Sequence, residues 1–175
     1  MENTTSTKMI YEGKTINLRV DDVELTNGNM SKREIVEHPG AVAILAITAQ
    51  NDVFFVRQFR KPIEKELLEI PAGKLDEKED PAACAVRELG EEVGMKPGTL
   101  RQIAFYYSSP GFASEKLYIY LATDLEPVDV AKPEDEILEP LKIPFNEALA
   151  MARQGRIEDG KTLIALLLAA DLMEA

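Results

Sequence analysis

Residues 73–95 read GKLDEKEDPAACAVRELGEEVGM, with glutamates at positions 88, 91 and 92. Asp80 can cap a helix, Pro81 suits its first turn and Gly94 can end it, so residues 80–94 are expected to be helical. At about 100° per residue, Glu88 and Glu92 share one side of that helix, with Glu91 beside them. Ala82, Val86, Leu89 and Val93 fall within about 60° of one another on the opposite side and are expected to face a core. Carboxylates four residues apart, ~5.5 Å between them, repel by roughly 3 kcal/mol at an effective dielectric of about 20 before salt screening. Two arrangements relieve this. The side chains can splay into water, or they can share divalent cations. All-oxygen ligands select hard ions such as Mg²⁺ or Mn²⁺, and Mg²⁺ usually keeps waters and binds substrate phosphates. Spacing alone leaves both arrangements open.

The stretch resembles the signature of the Nudix hydrolases: Gly, five residues, Glu, seven residues, then Arg-Glu-apolar-any-Glu-Glu-any-Gly-apolar. Gly73, Glu79, Arg87, Glu88, Leu89, Glu91, Glu92, Gly94 and Met95 fill every fixed position. The resemblance implies hydrolysis of a nucleoside diphosphate linked to another moiety, with Mg²⁺ as cofactor and Mn²⁺ able to substitute. It implies that Glu88 and Glu92 are the main metal ligands, with Glu91 contributing and the Ala72 carbonyl as a further ligand. Gly73 is the loop glycine, and Glu79 and Arg87 are expected to hold loop and helix together. Gly90 occupies a position the signature leaves free, at a cost of roughly 0.5–1 kcal/mol against Ala in a helix interior.

The signature specifies the reaction, not the leaving group. Pro110, about fifteen residues beyond it, resembles the ADP-ribose pyrophosphatase branch of the family. So do Leu67-Leu68-Glu69-Ile70-Pro71-Ala72-Gly73, Arg33-Glu34 and Arg57-Gln58-Phe59-Arg60. That resemblance implies substrate contacts from Arg33, Glu34 and Arg60, from Ser109-Pro110-Gly111, and from Glu115. Guanidinium groups suit phosphates and stack on bases. The substrate implied is ADP-ribose, cleaved to AMP and ribose 5-phosphate. Another nucleotide sugar such as GDP-mannose, or a non-hydrolytic nucleotide-sensing domain, stays open. Hydrolysis also needs a base near the attacking water. In similar enzymes a glutamate on a loop well past the signature serves, which favours Glu136, then Glu134, with Glu115 behind them. The branch often stacks adenine on aromatics near its first strands; Gly13-Lys14-Thr15-Ile16 has none, although Tyr11 is close.

The elements that must position these groups are legible from patterning. Residues 15–25 and 30–37 alternate apolar and polar around an Asn27-Gly28 turn signal, predicting a hairpin. The nearly continuous apolar run 41–49 predicts a strand covered on both faces. Strands are expected at 53–59, near 100–107, near 116–123 and near 137–143, with helices from Asn146 to about Gln154 and from about Asp159 to Leu172. Strands mixed with helices fit an α/β fold, an α/β/α sandwich with a mixed sheet. Residues 1–38 are expected to form a small β appendage and residues 39–175 the Nudix domain. The resembling branch forms dimers whose N-terminal strands reach the partner's site, so a homodimer is expected.

At 175 residues the chain suits one domain with a sizeable core. A formal charge of −11 disfavours a nucleic-acid partner. It also means that an anionic ligand must recruit positive charge, which divalent ions would supply. No apolar run is long enough for a membrane span, and MENTTSTK lacks signal-peptide order, so a cytosolic protein is expected. His38, the only histidine, precedes Pro39 and reads as a turn residue. Cys84 has no histidine nearby in sequence, and Leu163–Leu168 reads as a packing helix.

Overall fold

A computed structural model describes residues 1–131 and 138–174. They divide into two compact units, one formed by residues 1–40 and 106–116, the other by residues 41–105 and those from 117 onward.

In the first unit, β1 (Asn3–Glu12), β2 (Asn17–Glu24) and β3 (Met30–Glu37) form an antiparallel sheet in that order. The predicted hairpin is β2–β3, paired from Asn17↔Glu37 to Glu24↔Met30. Gly28 in its turn takes φ +81°, a left-handed value that costs glycine nothing in Cβ contact. β1 lies outside the predicted hairpin. Every one of its residues is exposed, so no apolar alternation marks it. Its order comes instead from its ladder with β2, from Asn3↔Glu24 to Glu12↔Asn17. The loop after residue 108 docks beside β3: Val36 N–H donates to the Phe112 carbonyl (2.8 Å) and Ser114 N–H to the Val36 carbonyl (2.9 Å).

The remaining elements are β4 (Ala41–Ala46), β5 (Asp52–Arg60), a single 3-10 turn (Lys61–Ile63), β6 (Lys65–Glu69), β7 (Ala72–Lys74), α1 (Pro81–Val93), β8 (Met95–Tyr107), β9 (Lys116–Pro127), β10 (Glu139–Pro144), α2 (Phe145–Arg153) and α3 (Gly160–Glu174). They build a mixed four-stranded sheet, β7-β4-β9-β8, and a three-stranded sheet, β10-β5-β6. β4 is parallel to β9, from Ala41↔Leu117 to Ala46↔Ala122, and antiparallel to β7. Val42, Ile44 and Ala46 pack with Cys84, Ala85 and Leu89 of α1. Alternation turns Ala43 and Leu45, both fully buried, to the opposite face of β4, and α3 also packs against this strand. A strand covered on both faces accounts for the nearly continuous apolar run.

β6 and β7 are absent from the sequence expectation because both are short. β8 starts at Met95 rather than near residue 100. The last strand is described from Glu139; Ile137 lies outside the described residues. α1 needs a correction. Ala82 and Val93 pack on the core as expected, but Val86 is 41% exposed. Glu88 and Glu92 are buried instead, at 8% and 4%. The helix turns its carboxylates toward β7, and that rotation carries Val86 outward. Val128 and Val130 side chains lie over Gly90, within 3.3–3.6 Å of where a Cβ would stand.

Candidate active site

β4 holds the site's backbone. Through the pairs Val42↔Gly73 and Ala43↔Ala72 it fixes β7 at the edge of the mixed sheet. α1 packs against that edge, with its ends fixed locally. Asp80 accepts hydrogen bonds from Ala82 N–H (3.0 Å) and Ala83 N–H (3.1 Å), and Gly94 closes the helix at φ +69°.

The two acidic residues that face β7 meet its backbone directly. Ala72 N–H donates to Glu92 Oε2 at 3.2 Å. A Cβ on Gly73 would stand 1.8 Å from the Glu88 carboxyl carbon, so only glycine lets strand and carboxylate come this close. Burial therefore rules out splaying into bulk water for Glu88 and Glu92, while the Glu91 side chain stays 25% exposed.

Arg87 ties helix to loop. Its Nε and Nη2 donate to Glu79 Oε1 (2.9 Å) and Oε2 (3.0 Å), and Nη2 also reaches the Lys74 carbonyl (3.3 Å). Its Nη1 donates to Glu88 Oε1 (2.7 Å) and Glu91 Oε2 (3.1 Å), so one guanidinium offsets part of the repulsion among the acids. The bidentate bond to Arg87 holds the Glu79 carboxyl down to about 2, and Glu79 in turn raises the Arg87 pKa. Burial, with Glu79 beside it, pushes the Cys84 thiol up to about 12, which makes it inert.

Among the described residues, no three acidic, histidine or cysteine side chains converge closely enough to hold an ion as they stand. The donor set nonetheless fits a hard divalent ion. Carboxylates and the β7 backbone share one place, and Gly73 leaves Glu88 the room a Cβ would fill.

The NUDIX domain pattern matches residues 37–166. This chain belongs to the Nudix family. It is 46% identical over 167 residues to a methanol dehydrogenase activator of Bacillus methanolicus. It is 44% identical over 167 residues to an ADP-ribose pyrophosphatase of Bacillus subtilis (strain 168). Each match covers 94% of this chain and 90% of the relative. A crystal structure of an ADP compounds hydrolase superposes with a TM-score of 0.87, over 99% of this chain and 94% of that one, at 22% identity. The mixed α/β Nudix fold expected from sequence is therefore the fold observed.

Outside the Nudix signature, the residues expected to touch substrate fall in both units. In the first, Arg33 on β3 pairs with Glu2, and its neighbour Glu34 is exposed. The Ser109 carbonyl accepts from Phe112 N–H (3.1 Å) and Ala113 N–H (2.9 Å), shaping Ser109-Pro110-Gly111 into a turn beside β3. Glu115 lies 3.8 Å from His38 Nδ1. In the second, Arg60 donates Nε and Nη2 to the two oxygens of Glu69, both at 2.6 Å. Glu134 and Glu136 lie outside the described residues. Sequence reasoning gave no role to Glu69, a carboxylate with 1% exposure that also receives Lys161. Burial raises its pKa, but the bonds and charges of Arg60 and Lys161 outweigh burial and leave it below the ordinary value. Its signal was a lone acid in the apolar run LLEIPAG.

Proposed function

We propose that this Nudix chain is a Mg²⁺-dependent pyrophosphohydrolase of nucleoside diphosphate sugars, with ADP-ribose as its substrate and AMP and ribose 5-phosphate as products. The observation that carries the reading is the burial of the Glu88 and Glu92 carboxylates against the Ala72–Gly73 backbone. The 44% identity to the Bacillus subtilis ADP-ribose pyrophosphatase supports the substrate.

Glu88, Glu92 and the Ala72 carbonyl, with Glu91, would hold Mg²⁺, and Mn²⁺ would substitute. When bound, the ion supplies positive charge for the pyrophosphate oxygens and acidity to the attacking water. Arg87 keeps the glutamates in place and offsets their repulsion. Arg33, Glu34, Arg60, Ser109-Pro110-Gly111 and Glu115 are the proposed substrate contacts. Glu136, or failing it Glu134, takes the proton as water adds to one phosphorus. The bridging P–O bond breaks, and its electron pair leaves with the second phosphate.

The same proposal includes a cytosolic setting and a homodimer. The exposed Met9, Ile10 and Tyr11 on β1 support self-association. A panel of diphosphates with Mg²⁺, its products identified in ¹⁸O-labelled water, tests the reaction and the substrate together. Preferential cleavage of ADP-ribose is expected. Equal or better turnover of GDP-mannose would overturn the substrate, and no turnover of any diphosphate would overturn the reaction. The Bacillus methanolicus relative favours a second reading, activation of a dehydrogenase, which is tested by adding the protein to a methanol dehydrogenase assay.

A further inference from the structure

Thr162, on the first turn of α3, is a fully buried polar residue whose hydroxyl is used twice. Its Oγ1 accepts from Ile70 N–H (2.9 Å) and donates to Asp159 Oδ2 (2.5 Å). Asp159 Oδ2 also accepts from Thr162 N–H (3.0 Å), while Asp159 Oδ1 accepts from Lys161 Nζ (2.9 Å). Lys161 donates onward to the buried Glu69. Consecutive residues of α3, 161 and 162, thus grip the consecutive residues 69 and 70. Downstream of that grip, the Pro71 carbonyl accepts from Ile44 N–H (2.8 Å), and Ala72 N–H donates to Glu92 Oε2 (3.2 Å). The run from Glu69 to Ala72 therefore has a specified partner at every residue.

We infer that the Asp159–Thr162 turn positions the Ala72 carbonyl and Glu92 for the divalent ion, with Thr162 as a positioning residue for metal affinity. The inference rests on the metal reading given above. Its physical basis is transmission through a short, stiff piece of chain. Without the Thr162 hydroxyl, the Ile70 N–H is left buried without an acceptor unless the backbone shifts. Pro71 has its φ fixed by its ring, so less of a shift at residue 70 can be taken up at residue 71 and more of it reaches Ala72. The hydrogen bond from Ala72 N–H then carries it to Glu92.

The test is Mn²⁺ binding to the full chain without substrate, followed by electron paramagnetic resonance, with thermal melts on the same samples. Thr162→Val is expected to weaken Mn²⁺ binding by about tenfold or more, as loss of a partner behind a ligand does. Thr162→Ser, which restores the hydroxyl, is expected to stay within about twofold of wild type. Val23→Ala, in a buried position of the first unit, is expected to lower the melting temperature and leave Mn²⁺ affinity unchanged. A folded Thr162→Val variant with wild-type affinity would overturn the inference, as would an equal loss in Val23→Ala. Should Thr162→Val not fold, Asp159→Asn carries the same test: weaker Mn²⁺ binding supports the inference and unchanged binding overturns it. If the wild type binds no Mn²⁺, the metal reading itself fails and takes the inference with it, an outcome distinct from equal binding by wild type and variant.

Discussion

Both oxygens of Glu79 are taken by Arg87, and the pH response of that pair follows from its direction. The carboxyl sits at about 2 in the folded chain against an ordinary value of 4.5. A depressed carboxylate contributes stability above its unfolded pKa, and that contribution is lost as the pH falls through the folded one. The window therefore runs from about pH 4.5 down to about 2. Thermal melts across it are expected to show a lower Tm for Glu79→Gln than for wild type at neutral pH, with the difference shrinking as the pH falls. A constant difference would contradict the clamp. The base is tested at the same scale. Glu136→Gln is expected to lower kcat by about 10²–10⁴-fold with Mn²⁺ binding intact. Wild-type rates in both Glu136→Gln and Glu134→Gln would remove the assignment.

Gly73 in β7 and Glu88 in α1 come so near that a Cβ would not fit between them, and their contact dictates how Gly73→Ala fails. The added Cβ meets the far end of a flexible side chain rather than backbone. The carboxylate therefore moves and the fold does not. Activity is expected to fall by about 10²-fold through that misplacement, while Tm shifts by only a few degrees. Collapse of the fold with the activity would mean that the contact is packing alone. On the same helix, Val86→Ser is expected to stay within about 0.5 kcal/mol of wild type, and Leu89→Ala to cost about 2–5 kcal/mol, both read by denaturant unfolding. Those two residues also show what patterning could and could not reveal. The cap at Asp80, the stop at Gly94 and the hairpin around Gly28 were legible because each is a local rule carried by one or two residues. The outward turn of Val86 was not, because an apolar wheel assumes that charge faces water, and here Glu88 and Glu92 are drawn under β7. β1 was equally hidden: a fully exposed edge strand buries nothing and carries no period. The grip of α3 on Ile70 spans 92 residues of sequence, a separation at which no local signal survives.

Across the whole molecule, a formal charge of −11 sets the terms on which a pyrophosphate can bind. The signature cation, Arg87, is already spent on Glu79, Glu88 and Glu91. On the proposed reading, divalent ions supply the net positive charge at the reacting phosphates. Chelation is expected to abolish turnover, and added Mg²⁺ to restore it. The apolar side chains exposed on β1 give self-association a place to start. Light scattering is expected to show a dimer, and removal of residues 1–12 is expected to weaken it. The most direct measurement is anomalous diffraction from crystals soaked in Mn²⁺, with and without a non-hydrolysable diphosphate. A peak within coordination distance of Glu88, Glu92 and the Ala72 carbonyl is expected; the absence of any peak there in both soaks would contradict a metal-dependent site.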